Sequence, residues 1–376
     1  MEFRAGILHS AETLLDLPRA PAICFPRRDW NLLSCHVIVR RVNPLVSVII
    51  VNYNGQEFLG PSLQSVLAQT YRPIELIVVD NASRDGSVAF VREKFPDVLV
   101  LESSVNLGFA GGNNLGWSRA SGELVALLNS DAVADPRWLE TLVTTLLSED
   151  LALACSLVLT EGVPAQHYAR NGTLNFIGYN IMEAFTDLSM VFYGSAAALL
   201  VRRDAVDTPF PEEYFLYQED VYLSWLLRLK RQRIAMVQAS VVRHLGSAST
   251  EKQPSSLVTF YQERNRLLNC LAFYEPETLV RLVPYFVLDA VTKTVLSLAS
   301  RRKSVTGIVR AYLWIAAHPR QVLALRSRVQ RKRETADNDI LRLMSHRVVN
   351  GHSLPARWVN SLSRGYAALV GLKHHG

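Results

Sequence analysis

The chain has 376 residues, 49% of them apolar and 20% charged, with a net charge of +6. That length suits two domains, or one large domain with an appendage, and the composition excludes a chain too polar to bury a core. The four cysteines, Cys24, Cys35, Cys155 and Cys270, form no CxxC pair and have no histidine partner at metal-site spacing. This excludes a disulfide scaffold and fits a reducing compartment. The charge is uneven. Between Ser300 and Thr335 ten basic residues accompany one acid, Glu334, an excess above that of the whole chain. The basic surface is therefore local, and the remainder is near neutral.

In chain order, residues 1–44 are Pro- and Arg-punctuated and read as an extension, with a short element around Cys35–Arg40. They lack an apolar core of signal-peptide length. Val46–Val51 reads as a buried strand broken by Asn52-Tyr53-Asn54-Gly55, followed by a helix from Glu57 to Gln69. Ile74–Val79 is the second strand, closed by Asp80, and Ser83–Ser87 offers caps for a helix to Phe95. Val98–Glu102 is a third strand, and the loop Asn106–Asn114 feeds a helix through Ala120. Gly122–Leu128 is a fourth strand, closed by Asn129-Ser130-Asp131, and Pro136 opens the next helix. Short β-branched runs alternating with helices describe βαβ units in a parallel sheet. Ligands bind beyond the carboxyl ends of such strands, where this sequence places Asp80 and Asp131.

The second half continues with a strand over Ala152–Leu159 and a polar loop over Ala165–Asp187, expected to cover the site. A small-residue strand over Val191–Val201 allows a close approach, and a helix over Phe215–Lys230 carries Glu219-Asp220. Then come a strand from Ile234 to Val242 leading to His244, and a helix from Leu257 to Tyr274 with Arg264-Asn265. Beyond Glu275, Leu279–Leu298 is apolar but interrupted by Arg281, Asp289 and Lys293 on one helical stripe, which predicts an interfacial or partner-packing helix. No apolar run reaches the length of a membrane span. The Arg-rich segment interleaved with Tyr312 and Trp314 reads as attachment to an anionic membrane face. No nucleic-acid module accompanies the charge, so nucleic acid is not an expected partner. The sequons at Asn81 and Asn171 read as chance matches.

NYNG after the first strand, VVDNASRDGS, NLGFAGGNN, LLNSD, FLYQEDVYLSWLLR, RHLGSAS and ERNRLL together resemble family 2 glycosyltransferases of the GT-A fold, nearest the rhamnosyltransferase-like branch. The resemblance covers Val46 to Pro276. It implies an α/β chain whose mixed, mostly parallel sheet carries helices on both faces. Its catalytic domain would span residues 45–270, with a helical, basic appendage over 271–376. It further implies inverting sugar transfer from a nucleotide diphosphate donor, dTDP-rhamnose or a UDP-sugar, to a lipid-linked glycan in cell-surface polysaccharide synthesis. The enzyme would sit on the cytoplasmic face of the membrane.

By this resemblance Tyr53, Asn54, Asp80, Asn106, Gly108, Asn113, Asn129 and Arg264 line the donor site. A glycine-rich loop entering a helix can hold phosphate on free N–H groups. Otherwise Gly111 and Gly112 serve a tight turn at positive φ. Asp131 and His244 would hold Mg2+ or Mn2+, which offsets the charge on a departing diphosphate. Asn129 and Ser130 replace the first acid of the two-acid form of that motif. Asp220 would take the acceptor's proton, with Glu219 in support, and Tyr222 stands where many relatives carry a further Asp. The bland alternative for Glu219-Asp220 is a pair of first-turn acids favoured by the helix dipole. Two rival readings are a non-catalytic sugar-nucleotide-binding scaffold and a dehydrogenase; the missing GxGxxG fingerprint opposes the latter.

Overall fold

A computed structural model describes residues 43–160, 172–181, 188–244, 254–300, 304–348 and 354–372. The extension up to residue 42, most of the 165–187 loop and the RHLGSAS segment after His244 lie outside the described residues.

The first half alternates strand and helix: β1 (Val46–Asn52), α1 (Gln56–Leu67), β2 (Ile74–Asp80), α2 (Ser87–Lys94), β3 (Leu99–Glu102), α3 (Gly108–Arg119) and β4 (Leu124–Leu128). After a tight turn come β5 (Ala132–Ala134), α4 (Trp138–Ser148) and β6 (Leu153–Thr160). Short strands β7 (Thr173–Leu174), β8 (Asn180–Ile181) and β9 (Leu188–Met190) precede β10 (Ala198–Arg202), α5 (Glu219–Leu229) and β11 (Ile234–His244). The sheet order is β3-β2-β1-β4-β10-β6-β11-β5, with β9 also on β11. β3, β2, β1 and β4 run parallel, β10 runs antiparallel to β4 and β6, β6 and β11 are parallel, and β5 closes the sheet antiparallel to β11.

Both faces of the sheet are covered, which is why β1 reads as a continuous apolar run. Val46, Val48 and Ile50 enter one core with Leu59, Leu63, Trp138 and Leu142. Ile49 enters the other with Trp117, Trp225 and Phe273. Helix α3 lies close on β1 because it is glycine-rich. A Cβ on Gly112 would stand 2.6 Å from Val51 Cγ1, and one on Gly116 2.5 Å from Ile49 Cγ2. This corrects the turn expectation: Gly111 and Gly112 lie inside the helix, and in this loop only Gly108 takes positive φ, at 70°.

Two further expectations change. The strand expected over Val191–Val201 contracts to β10, and the residues before it approach the interior of the protein. A Cβ on Gly194 would meet Cys155 Cβ at 2.7 Å, and Gly194 N donates to Ser224 Oγ (3.2 Å). Pro136 precedes α4 by two residues, because Trp138 begins the helix and anchors it by donating from Nε1 to Ser156 Oγ (2.8 Å).

Helices α6 (Ser255–Phe273), α7 (Pro276–Ser300), α8 (Val305–Ala317), α9 (Pro319–Gln330), α10 (Asp337–Leu341) and α11 (Leu354–Leu369) follow. Residues from α6 to α11 complete the core on the Ile49 side. The Arg-rich α9 caps the end of α6. Arg326 donates to the carbonyls of Leu271 and Tyr274 (2.6 Å each), and Gln330 to those of Ala272 and Phe273. Cations at a helix C-terminus satisfy carbonyls that have no partner within the helix. Arg328 pairs with Glu213 (2.5 Å) and Arg333 with Asp337 (3.0 Å). Much of the basic cluster is thus engaged within the protein.

Candidate active site

The loops after β1 and β2 are knitted around Asp80. Its carboxylate accepts from Asn52 Nδ2 (3.3 Å) and from the backbone N of Ser83 (2.9 Å). Asn54, at φ 51°, donates its backbone N to Ser83 Oγ (2.9 Å) and accepts from Arg84 N on Oδ1 (2.7 Å). Tyr53 projects beside this knot and is 44% exposed. Asn52 and Asp80 are direct partners in the parallel ladder, so both sit at the carboxyl edge of the sheet.

The turn after β4 brings in the second carboxylate. Asn129 N donates to Ala197 O (3.0 Å) and Ala132 N returns to Asn129 O (3.2 Å). Since β5 pairs antiparallel with β11, Ala132 stands opposite His244. His244 Nε2 is consequently 3.1 Å from Asp131 Oδ1 and 3.2 Å from Asn129 Nδ2, all three in a largely buried corner. Among the described residues, Asn129 Oδ1 and His244 Nδ1 are buried without a hydrogen-bond partner.

The acid pair arrives through a chain of backbone contacts. Asn81, next to Asp80, donates from Nδ2 to Gly108 O (2.8 Å), and Asn106 Oδ1 accepts from Gly108 N (2.8 Å). A side chain at Gly108 has no room, because its Cβ would stand 2.2 Å from Phe215 O. Phe215 begins the loop that ends at α5. In that loop Tyr217 and Gln218 both take positive φ, 69° and 68°, a strained arrangement for residues other than glycine. Asn265 holds it, donating from Nδ2 to the carbonyls of Leu216 (2.9 Å) and Tyr217 (2.8 Å), and Asn269 donates to Gln218 O (3.1 Å). The helix expected from Phe215 therefore starts at Glu219, and the acid pair occupies its first turn.

Asp220 accepts from Val221 N (2.8 Å). Glu219 is buried, and its Oε2 meets no donor among the described residues. Burial pushes its carboxyl up to about 8, and the neighbouring Asp220 charge adds to the rise. Between pH 4.5 and 8 the unfolded chain releases this proton while the folded chain keeps it, so stability falls as pH rises through that window. Glu219→Gln removes that slope. Its melting temperature should change less between pH 5 and 8 than the wild type's, a difference on the order of a few kcal/mol. Parallel melting curves for the two proteins would sink the assignment.

Two residues expected at the donor make hydrogen bonds within the protein. Asn113 is buried within α3 and donates back to Phe109 O (2.9 Å). The Arg264 guanidinium donates to Glu213 O (2.7 Å) and to Asn265 Oδ1 (2.9 Å), and lies about 5 Å from the ring centres of Phe260, Tyr261 and Trp314. Arg264-Asn265 thus supports the loop before α5. Sequence reasoning did not assign Asn52, Asn81 or Asn269 to the site; Asn52 and Asn81 carried only the signal that polar residues end apolar runs, and Asn269, between Leu268 and Cys270 inside α6, carried none.

Residues 47–209 match the model for Glycosyl transferase family 2. Over this stretch, under half of its length, the chain is similar to family 2 glycosyltransferases. Over 110 residues it is 34% identical to an uncharacterized glycosyltransferase of Haemophilus influenzae, covering 28% of this chain; it spans about a third (34%) of that relative's length. It is 27% identical over 53% of its length, and over 75% of the relative's, to the UDP-Glc:alpha-D-GlcNAc-diphosphoundecaprenol beta-1,3-glucosyltransferase WfgD of Escherichia coli. The crystal structure of GalNAc-T7 with UDP, GalNAc and Mn2+ superposes with a TM-score of 0.52 at 14% identity, over 63% of this chain and 49% of that one. That likeness concerns the fold, which is of the GT-A type. The rhamnosyltransferase-like branch has no counterpart in these matches.

Proposed function

We propose that this protein is an inverting glycosyltransferase that moves a hexose, rhamnose or a similar sugar, from a nucleotide diphosphate donor to a hydroxyl of a lipid-linked glycan. Its catalytic domain would be residues 45–270, acting in cell-surface polysaccharide synthesis at the cytoplasmic face of a membrane. The observation that carries this reading is the single sheet edge on which Asp80 and Asp131 lie, with the Glu219-Asp220 turn tied to it through Gly108 and Phe215. The lipid-linked acceptor is supported by the kind of substrate named for the Escherichia coli relative. The donor would be dTDP-rhamnose or a UDP-sugar.

In this reading Asp80 receives hydrogen bonds from the nucleoside, and Tyr53 and Asn54 flank it. Asp220 accepts the acceptor's hydroxyl proton as the acceptor oxygen bonds to the anomeric carbon from the far side. The bond from that carbon to the diphosphate oxygen breaks, and its electron pair leaves with the diphosphate. Glu219, neutral beside Asp220, keeps a second negative charge out of the turn.

The corner of Asp131, His244 and Asn129 fits a hard or borderline cation, Mg2+ or Mn2+. It offers a carboxylate, an imidazole nitrogen and an amide oxygen without a protein partner. No group of three or more His, Cys, Asp or Glu side chains comes together among the described residues. Asp131, His244 and Asn129 are the residues that would hold the ion. The bound ion would offset the diphosphate's negative charge.

A thermal-shift screen of nucleotide sugars with and without Mg2+ or Mn2+ tests the reading. A true donor at a hundred times its Kd should stabilise the protein by about 2.7 kcal/mol, and more with the ion than without. Stabilisation by no nucleotide sugar, or equal stabilisation in Asp80→Ala, would remove the donor site from this edge. Binding without turnover of any donor would favour the scaffold reading.

A further inference from the structure

Among the described residues, α7 and α11 both carry large apolar side chains exposed to solvent. These helices pack on each other through Tyr285, Ser363 and Tyr366. Tyr285 OH donates to Ser363 O (2.8 Å) and Tyr366 OH to Arg281 O (2.9 Å), and the two tyrosine rings meet edge to face. Away from this seam each helix presents a row of large apolar side chains to solvent. On α7, Val283, Val287 and Val291 recur every fourth residue and are 51%, 58% and 56% exposed. On α11, Trp358, Leu362 and Leu369 fall on one stripe and are 67%, 55% and 83% exposed. Single exposed aliphatic residues are ordinary, but two such rows on adjoining helices mark an interaction surface.

The charge of this region selects the partner. Residues 290–376 hold sixteen basic residues and three acids, Lys293, Arg326, Arg328 and Arg333 among the basic ones being engaged within the protein, and no acid follows Asp339. The sequence leaving α7 is Arg301-Arg302-Lys303. Arg357 and Arg364, seven residues apart, are exposed along α11. On α7 the carboxylate of Asp289 turns inward to Arg266 (3.0 Å) and Lys293 (2.7 Å), so it does not interrupt the outward row. A second copy would bring two strongly basic regions together, which repel. An anionic bilayer offers the opposite charge to the arginines and an apolar interior to the rows. No helix among the described residues is long and apolar enough to cross a membrane, and this arrangement does not require one to do so.

We propose that the outer face of α7 and α11 rests in the interface of an anionic lipid bilayer. Both helices lie in its plane, with Trp358, Leu362 and the α7 valines at the acyl boundary and Arg357 and Arg364 among the headgroups. The surface differs from the Tyr312–Trp314 segment expected from the sequence: the Trp314 ring stacks on His318 and meets Arg264. This inference stands on exposure and charge and does not depend on transfer chemistry.

The test is co-sedimentation of the full chain with phosphatidylcholine vesicles that contain about a quarter phosphatidylglycerol. Binding is expected, weakening about tenfold on phosphatidylcholine alone or in roughly 0.5 M salt. The double variant Trp358→Ser, Leu362→Ser should bind about tenfold more weakly, with unchanged melting temperature and donor hydrolysis. Equal binding of variant and wild type, or indifference to lipid charge, overturns the proposal. A lipid-free dimer that the variant abolishes would assign the face to a second copy instead. Vesicle binding by a wild type that turns over no donor would retain this proposal and strike the transferase reading alone.

Discussion

Asp220→Asn is expected to lower sugar transfer about a thousandfold, with thermal stabilisation by the donor nearly unchanged. The substitution keeps the shape of the side chain, and the amide oxygen can still accept from Val221 N, as the carboxylate does at 2.8 Å. What is lost is the capacity to take a proton. Asp220 lies in the first turn of α5, whereas the Asp80 knot is built from the loops after β1 and β2. In the proposed reading the donor's nucleoside meets the knot and should not register the change. Two measurements decide it: initial rates with a fixed donor and acceptor, and donor-induced melting shifts for both proteins. Full activity in the variant would remove Asp220 from the base role. Loss of the donor shift would instead make Asp220 part of the binding site.

The second large effect is structural. Glu263→Gln is expected to destabilise the fold by about 3–5 kcal/mol. Glu263 is buried at the centre of a balanced network. Its Oε2 is 3.0 Å from Arg266 Nη2 and 2.6 Å from Lys293 Nζ, and Tyr179 OH donates to the carboxylate at 3.1 Å. Asp289 supplies the second anion, 3.0 Å from Arg266 and 2.7 Å from Lys293. Among the described residues, two cations face two anions in a place water scarcely reaches. Removing one anion leaves an uncompensated positive charge, and burying an unpaired charge costs far more than an exposed pair gains. The exposed pair Arg92–Glu102 is the control, since Arg92→Ala should cost less than about 1 kcal/mol. Urea unfolding midpoints of the two variants measure the contrast. Equal midpoints would show that the network contributes no more than a surface pair.

This network also shows what a sequence pattern leaves open. Arg281, Asp289 and Lys293 share one stripe of α7, and the pattern predicts an interfacial or partner-packing helix without naming its buried side. Asp289 and Lys293 face inward, because α6 presents Glu263 and Arg266 to receive them. The apolar residues between them form the exposed face. Periodicity reveals which residues share a side of a helix, but not which side is buried.

The sequence alone determined the strands of the parallel half, the amphipathic helices between them, and the position of Asp80 and Asp131 at strand ends. Each follows from neighbouring residues: unbroken apolar runs where both sheet faces are covered, and polar turns where they stop. Only the tertiary structure decided that His244 stands against Asp131, since that depends on β11 pairing antiparallel with β5. It likewise decided that α5 begins at Glu219. Two left-handed residues there are held by Asn265 and Asn269 from a helix much later in the chain. Contacts between distant residues arise from the burial of whole faces and the satisfaction of particular carbonyls, and neither leaves a repeating pattern in the local sequence.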